Sequence, residues 1–131
     1  MLSTKPEAAK GELVIRTIAM PADTNKYGDM FGGWVVSQMD LGGAILAHSC
    51  ARQPMTTVAI DSMVFIKPIF VGDLVSCYAE VARRGTTSVT IHVEVWVQRH
   101  QDGSIHQVTK GLFTFVAINE AGRPIAIDWP N

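Results

Sequence analysis

The sequence predicts an α+β domain in which one long helix lies against an antiparallel sheet of about five strands. Three observations point there. Residues 31–51 form the longest stretch with helical character, five other stretches read as strands, and the gaps between the last strands are short enough to favour antiparallel neighbours. The 131 residues suit one domain with a core of its own.

Residues 1–11 are polar and carry Pro6 and Gly11, so a flexible tail is expected there. Residues 12–19 (ELVIRTIA) read as the first strand. Residues 21–28 (PADTNKYG) are a loop of turn formers, followed by the helix. After Pro54 the pattern turns to strand at 56–66, closed by Lys67 and Pro68. A turn at Gly72-Asp73 leads to a strand at 74–83, which ends at Arg84-Gly85. Residues 88–99 alternate most clearly: Val89, Ile91, Val93, Val95 and Val97 face one way, and Thr90, His92, Glu94, Trp96 and Gln98 the other. A turn at 101–104 precedes the last strand, 107–118. The domain is therefore expected over 12–125, with a C-terminal tail at 126–131.

Net charge is −1, which gives no global field for nucleic acid or an anionic membrane, so any phosphate must be met by a local cluster. The charged fraction of 18% is low and hints at surface covered by a partner subunit. No apolar run approaches the roughly 20 residues of a membrane span, and the first residues lack the apolar core of a signal peptide. Cys50 and Cys77 lie in apolar stretches without ligand spacing, as reduced buried thiols do, and a cytoplasmic location is expected. His48, His92, His100 and His106 show no metal or triad spacing, so no metal is expected.

On a helix over 31–51, apolar residues point in most directions, which suits a helix buried inside a curled sheet. Asp40 is the exception. It stands mid-helix, far from the N-terminal dipole, on a face made of Gly33, Val36, Ser37, Gly43, Ala44 and Ala47. An acid there is either a structural group bonded to a neighbouring element or the wall of a cleft. The pairs Gly32-Gly33 and Gly42-Gly43 each cost helix stability, so they serve either packing against the sheet or close approach of a ligand.

The blocks Asp23-Thr24-Asn25-Lys26-Tyr27-Gly28-Asp29-Met30-Phe31-Gly32-Gly33-Trp34 and Ser37-Gln38-Met39-Asp40-Leu41-Gly42-Gly43-Ala44 closely resemble the YciA-type acyl-CoA thioesterases. The resemblance continues through Ala59-Ile60-Asp61-Ser62-Met63, Phe65-Ile66-Lys67-Pro68, Val71-Gly72-Asp73, Gly85-Thr86-Thr87-Ser88 and Glu94-Val95-Trp96-Val97, over roughly residues 14 to 125. It implies a hotdog fold, a long central helix wrapped by a curved antiparallel sheet. It also implies hydrolysis of acyl-CoA to free acid and CoA, no cofactor, and homodimers formed through the sheets that assemble as a trimer of dimers.

Asp40 falls on the family's catalytic aspartate, and Asn25 and Asp29 in its loop before the helix. Such a carboxylate can activate water as a general base or attack the thioester itself. The helix start at Gly32 and Gly33 offers free N–H groups for an oxyanion. Asn25 is either an orienter of water or carbonyl or a turn residue, and Asp29 is either a further residue of the catalytic site or the cap of the helix. Asp40 lies roughly 10 to 13 Å along the helix from its start, too far for one carbonyl to meet both. The resemblance implies a site between two subunits. Arg83, Arg84, Gly85, Thr86, Thr87 and Ser88 combine cations, a glycine and hydroxyls suited to CoA phosphates or pantetheine, or form an ordinary hairpin turn; Lys67 is a further CoA candidate. A non-catalytic acyl-CoA binding module on the same fold is the alternative, and Asp40 argues against it. A hydratase would need an acid–histidine pair, and no clear pair stands out in the sequence.

Overall fold

The structure, a computed structural model, describes residues 5–130. Its elements are β1 (Glu12–Ile18), a 3-10 turn (Pro21–Asp23), α1 (Gly32–Ala51), β2 (Met55–Phe65), β3 (Leu74–Arg84), β4 (Ser88–Gln98) and β5 (Ile105–Ala117). The strands form one antiparallel sheet in the order β1-β3-β4-β5-β2, with α1 lying across one face.

The alternation of β4 is realised on its core face, while on the other face Glu94 is also buried, held by His92 and Trp96. Val89, Ile91, Val93, Val95 and Val97 are all buried and, with Phe113 and Phe115 of β5, form the floor on which the helix rests. Burying each of these side chains is worth roughly 1.5–3 kcal/mol, which makes the central strands the stable part of the domain. β3, β4 and β5 are neighbours, as their short connections require. β2 is not beside β3; it pairs with β5 at the far edge. The connection at residues 66–73 crosses three strand spacings, about 14 Å. Its extended reach is up to roughly 27 Å, so shortness alone does not force adjacency.

The helix departs from the expectation of burial on all sides. Only the stripe Val35, Met39, Gly42, Gly43, Leu46 and Ala47 is buried, while Leu41 and Ile45 remain 54% and 44% exposed. One five-stranded sheet covers one flank of a helix, and the apolar residues on the other flank have no cover within the chain. The helix ends at Arg52, whose left-handed backbone (φ 50°) returns its N–H to the carbonyl of His48 at 2.8 Å.

The second glycine pair is explained by packing. A Cβ on Gly42 would stand 3.0 Å from Val14 Cγ2, and one on Gly43 3.0 Å from the Phe115 ring. Gly43→Ala is therefore expected to destabilise the domain by about 1–3 kcal/mol through overpacking, against at most ~1 kcal/mol gained in helix propensity. A lowered urea midpoint at unchanged slope checks this.

Of the segment expected as a tail, residues 1–4 lie outside the described residues. Within the rest, Ala9 is buried and the Lys10 N–H donates to Glu94 Oε1 at 3.4 Å. At the other end Ile125, Ile127 and Trp129 pack against the core. Among the described residues, no helix is long and apolar enough to cross a membrane.

Candidate active site

The loop before the helix is folded around Asn25. Its side-chain oxygen accepts the N–H groups of Tyr27 (2.9 Å) and Asp29 (3.1 Å), and its own N–H donates to the Asp29 carbonyl at 2.6 Å. Asn25 is thus the turn-forming residue its type suggests, with its amide nitrogen left over for another partner. The loop is fastened to the β2–β3 connection by the Met30 N–H bond to the Ile69 carbonyl (2.9 Å) and the bridge between Asp29 and Phe70. A cleft of about 330 Å³ opens between these two segments. Asn25, Asp29, Gly32 and Lys67 line it, with Val35, Phe65 and Val108 among its apolar walls.

Asp29 does not cap the helix, one of its two expected roles. The N-cap is Phe31, which makes no side-chain cap bond. Two residues separate Asp29 from the first helical residue, and its backbone is already committed to Asn25 and Phe70. The first-turn N–H groups of Gly32 and Gly33 consequently have neither an intrahelical acceptor nor a side-chain cap, and the positive end of the helix dipole opens onto the cleft. A Cβ on Gly33 would meet nothing within 4 Å. Packing therefore accounts for Gly42 and Gly43 but not for Gly33. Gly33→Ala should leave stability unchanged or raise it by up to ~1 kcal/mol. A fall in activity with no fall in melting temperature would mark a position that needs room for a ligand; loss of both would contradict this.

Asp40 projects from the next turns of α1 toward β2. Its Oδ1 accepts the Thr57 hydroxyl at 2.6 Å, which fixes the plane of the carboxylate, and its Oδ2 has no hydrogen-bond partner among the described residues. The carboxylate is half-buried and does not line the 330 Å³ cleft. Thr57 is a site neighbour that sequence reasoning did not single out. Nothing in a strand's alternation marks which threonine meets a helix residue 17 positions earlier.

The last residues of β3, leading into the β3–β4 turn, are Arg83 and Arg84, both exposed. A Cβ on Gly85 would be crowded, falling 2.7 Å from Ser88 Oγ and 3.0 Å from the Ser88 carbonyl oxygen. Arg84 stacks on the Trp129 ring at 4.8 Å. This turn lies beside the start of β2, because Met55 pairs with Ala117 and the Ala117 N–H donates to the Thr87 carbonyl. The cleft lies beside its end, at Phe65. An 11-residue strand separates them, about 33 Å on one chain. Within one chain the structure gathers Asn25, Asp29, Gly32 and Lys67 and leaves Asp40 and the arginine turn apart from them.

A larger cavity of about 450 Å³ lies on the other side of the β2–β3 connection, lined by Asp73, Arg99, His100 and His106 among others. Asp73 is 2% exposed. Its carboxylate accepts the Phe70 N–H (2.9 Å), the Arg99 guanidinium (2.6 Å) and the His100 N–H (3.3 Å), so it fastens the connection that walls the cleft. Hydrogen bonds from Ser104 hold the exposed Asp102 carboxyl below its ordinary range. Burial pushes the Cys77 thiol up to about 12, so it stays protonated and inert. Among the described residues, no three His, Cys, Asp or Glu side chains are grouped to hold a metal ion.

Residues 27–104 match the family model described as the thioesterase superfamily. The chain is 48% identical over 129 residues to the acyl-CoA thioester hydrolase YciA of Escherichia coli, covering 96% of this chain and 98% of that one. It superposes on the hexameric thioesterase y2039 of Yersinia pestis with a TM-score of 0.87 at 50% identity, covering 94% and 98% of the two chains. A hexameric broad-specificity acyl-coenzyme A thioesterase matches with a TM-score of 0.89 at 50% identity, covering 95% and 86%, and has also been solved as an aspartate-to-alanine mutant. The helix-and-sheet arrangement described above is the hotdog thioesterase fold of these proteins.

Proposed function

The chain belongs to the thioesterase superfamily, among the YciA-type acyl-CoA thioester hydrolases, and we propose that it cleaves acyl-CoA to a free carboxylic acid and CoA at a site shared by two subunits. The observation that carries the proposal is Asp40: a mid-helix carboxylate oriented by Thr57 through one oxygen, with the other oxygen unclaimed. Because Asp40 is only half-buried, the second oxygen is open to a water or a substrate carbonyl.

The chemistry follows from the groups present. A thioester carbonyl is electrophilic, and its thiolate leaves without much help. What is needed is a positioned water or carboxylate and a place for the developing oxyanion. Asp40 Oδ2 supplies the first, as a general base on water or as the attacking nucleophile. The uncapped N–H groups of Gly32 and Gly33 supply the second, reinforced by the helix dipole. Asn25 and Asp29, at the mouth of the same cleft, orient water or carbonyl, and Lys67 meets the CoA portion. No cofactor is needed, since base, oxyanion donors and leaving group are all accounted for.

Two subunits are required by the spacing. Asp40 stands seven residues beyond Gly33, about 10 Å along one helix. β2 is a sheet edge with unpaired backbone groups, and Val58, Ile60, Val64 and Phe65 are exposed along it. Such an edge calls for a partner. Antiparallel pairing of two β2 strands about a two-fold axis brings the end of one beside the start of the other. The cleft of one subunit then meets Asp40 and the arginine turn of its partner, and exposed Leu41 and Ile45 gain cover. The proposed assembly is a homodimer through the sheets and a trimer of dimers, a reading supported by two relatives solved as hexamers. The cytoplasm, where CoA esters are metabolised, is the proposed location.

The test is release of free thiol from acyl-CoA across acyl lengths. Stoichiometric CoA and carboxylate release is expected; binding without release at every length would leave only a carrier.

A further inference from the structure

The C-terminal segment is tied to the β3–β4 turn by a set of bonds that the reaction chemistry alone does not call for. The Trp129 indole N–H donates to the Gly85 carbonyl at 2.9 Å, and the Ile127 N–H donates to the Thr86 carbonyl at 2.7 Å. The Ala117 N–H takes the next carbonyl, that of Thr87, at 3.0 Å. Three successive carbonyls of the turn are therefore engaged, two by the C-terminal segment and one by the end of β5. The segment is itself anchored by Gln53, just beyond α1, whose side chain donates to the Ala126 carbonyl (3.2 Å) and accepts the Asp128 N–H (2.9 Å).

A trans peptide places its carbonyl and the following N–H on opposite sides. Fixing the Gly85 and Thr86 carbonyls against the C-terminal segment therefore turns the N–H groups of Thr86 and Thr87 away from it. Among the described residues, the N–H groups of Thr86 and Thr87 have no hydrogen-bond partner. They directly follow exposed Arg83 and Arg84 in the chain, and the Arg84 guanidinium is stacked on the ring of Trp129. Successive outward N–H groups beside two guanidinium groups make an anion cradle.

We propose that residues 125–129 form a strap that sets the peptide orientation of the β3–β4 turn for phosphate binding, with Trp129 as its positioning residue. This rests on the reading that the turn meets the phosphates of CoA. Trp129 touches no substrate; it holds the Gly85 carbonyl through its N–H and Arg84 through its ring. The ligand chemistry is a phosphate ester, and the acyl and pantetheine portions of the substrate do not feel the strap.

The test compares KM and kcat for acyl-CoA with those for the same acyl group on pantetheine, which lacks phosphates. KM does not depend on how much of a preparation is folded. Trp129→Ala is expected to raise KM for acyl-CoA roughly tenfold, the equivalent of one hydrogen bond to a charged group. It should keep kcat within about twofold and leave KM for acyl-pantetheine unchanged. Trp129→Phe keeps a ring for Arg84 but lacks the N–H, and a smaller rise is expected. An unchanged KM for acyl-CoA in Trp129→Ala, or an equal rise for both substrates, would overturn the proposal. A wild-type KM in Trp129→Phe would overturn the orienting role of the indole N–H. The double variant Arg83→Ala/Arg84→Ala separates the two levels. If it leaves KM for acyl-CoA unchanged, the turn does not meet the phosphates and the strap falls with that reading. If it raises KM while Trp129→Ala does not, the strap alone is wrong.

Discussion

Asp40→Asn lowers thioester hydrolysis at least about 100-fold while the fold and CoA binding persist. The amide has the shape of the carboxylate, and its oxygen can still accept the Thr57 hydroxyl that now bonds Oδ1 at 2.6 Å. The link between α1 and β2 therefore survives. What is lost is the negative oxygen that takes a proton from water or attacks the carbonyl. The decrease should fall on kcat rather than KM, because the group acts in the transition state and not in holding CoA. Steady-state kinetics with a melting curve on the same sample decide the matter. Turnover near the wild-type value would remove Asp40 from the mechanism.

Arg99→Ala has the largest expected effect on stability, about 3–5 kcal/mol, because it strands a buried carboxylate. Asp73 is almost fully enclosed and, among the described residues, depends on Arg99 for its only cationic partner, at 2.6 Å. Arg99 also donates to the Pro68 carbonyl at 2.9 Å and stacks on Phe70 at 4.6 Å, so one side chain closes the connection from β2 to β3. That connection walls the cleft, and activity should decline together with stability. Replacing the pair jointly, Arg99→Met with Asp73→Asn, should cost less than Arg99→Ala alone, since no unpaired charge is left inside and the amide oxygen can still accept one of the two backbone N–H groups. Urea unfolding of both variants measures this; a loss under about 1 kcal/mol in Arg99→Ala would show that Asp73 is adequately held by the two backbone N–H groups.

What the sequence reveals is what local chemistry determines. The five valine and isoleucine positions of β4 face the core because a strand alternates, and that needs no knowledge of its neighbours. Asp40 is legible as an anomaly because a mid-helix carboxylate among small residues has no local explanation. Other features depend on contacts distant along the chain. The pairing of β2 with β5 hides behind a connection short enough to suggest β3. Thr57 is one strand threonine among several until the helix is laid beside it. The loop before α1 looks like a cap for Asp29, yet the chain spends that residue's backbone on Asn25 and Phe70 and leaves the helix start bare. Leu41 and Ile45 read as core from composition, yet the single sheet of the chain leaves them exposed, because it covers one flank of the helix. Ile127 and Trp129 sit in a stretch whose Pro124 and Pro130 suggest only a loose end, and their bonds to the β3–β4 turn are visible only once the sheet is assembled.

Specific activity measured through a dilution series, with subunit association followed on the same samples, bears most directly on a site built from two chains. Activity should fall in step with dimer dissociation, because a separated subunit holds its carboxylate and its helix-start amides about 10 Å apart. Full specific activity in samples shown to be monomeric would mean that one chain completes the reaction by itself, and the two-subunit account would be wrong.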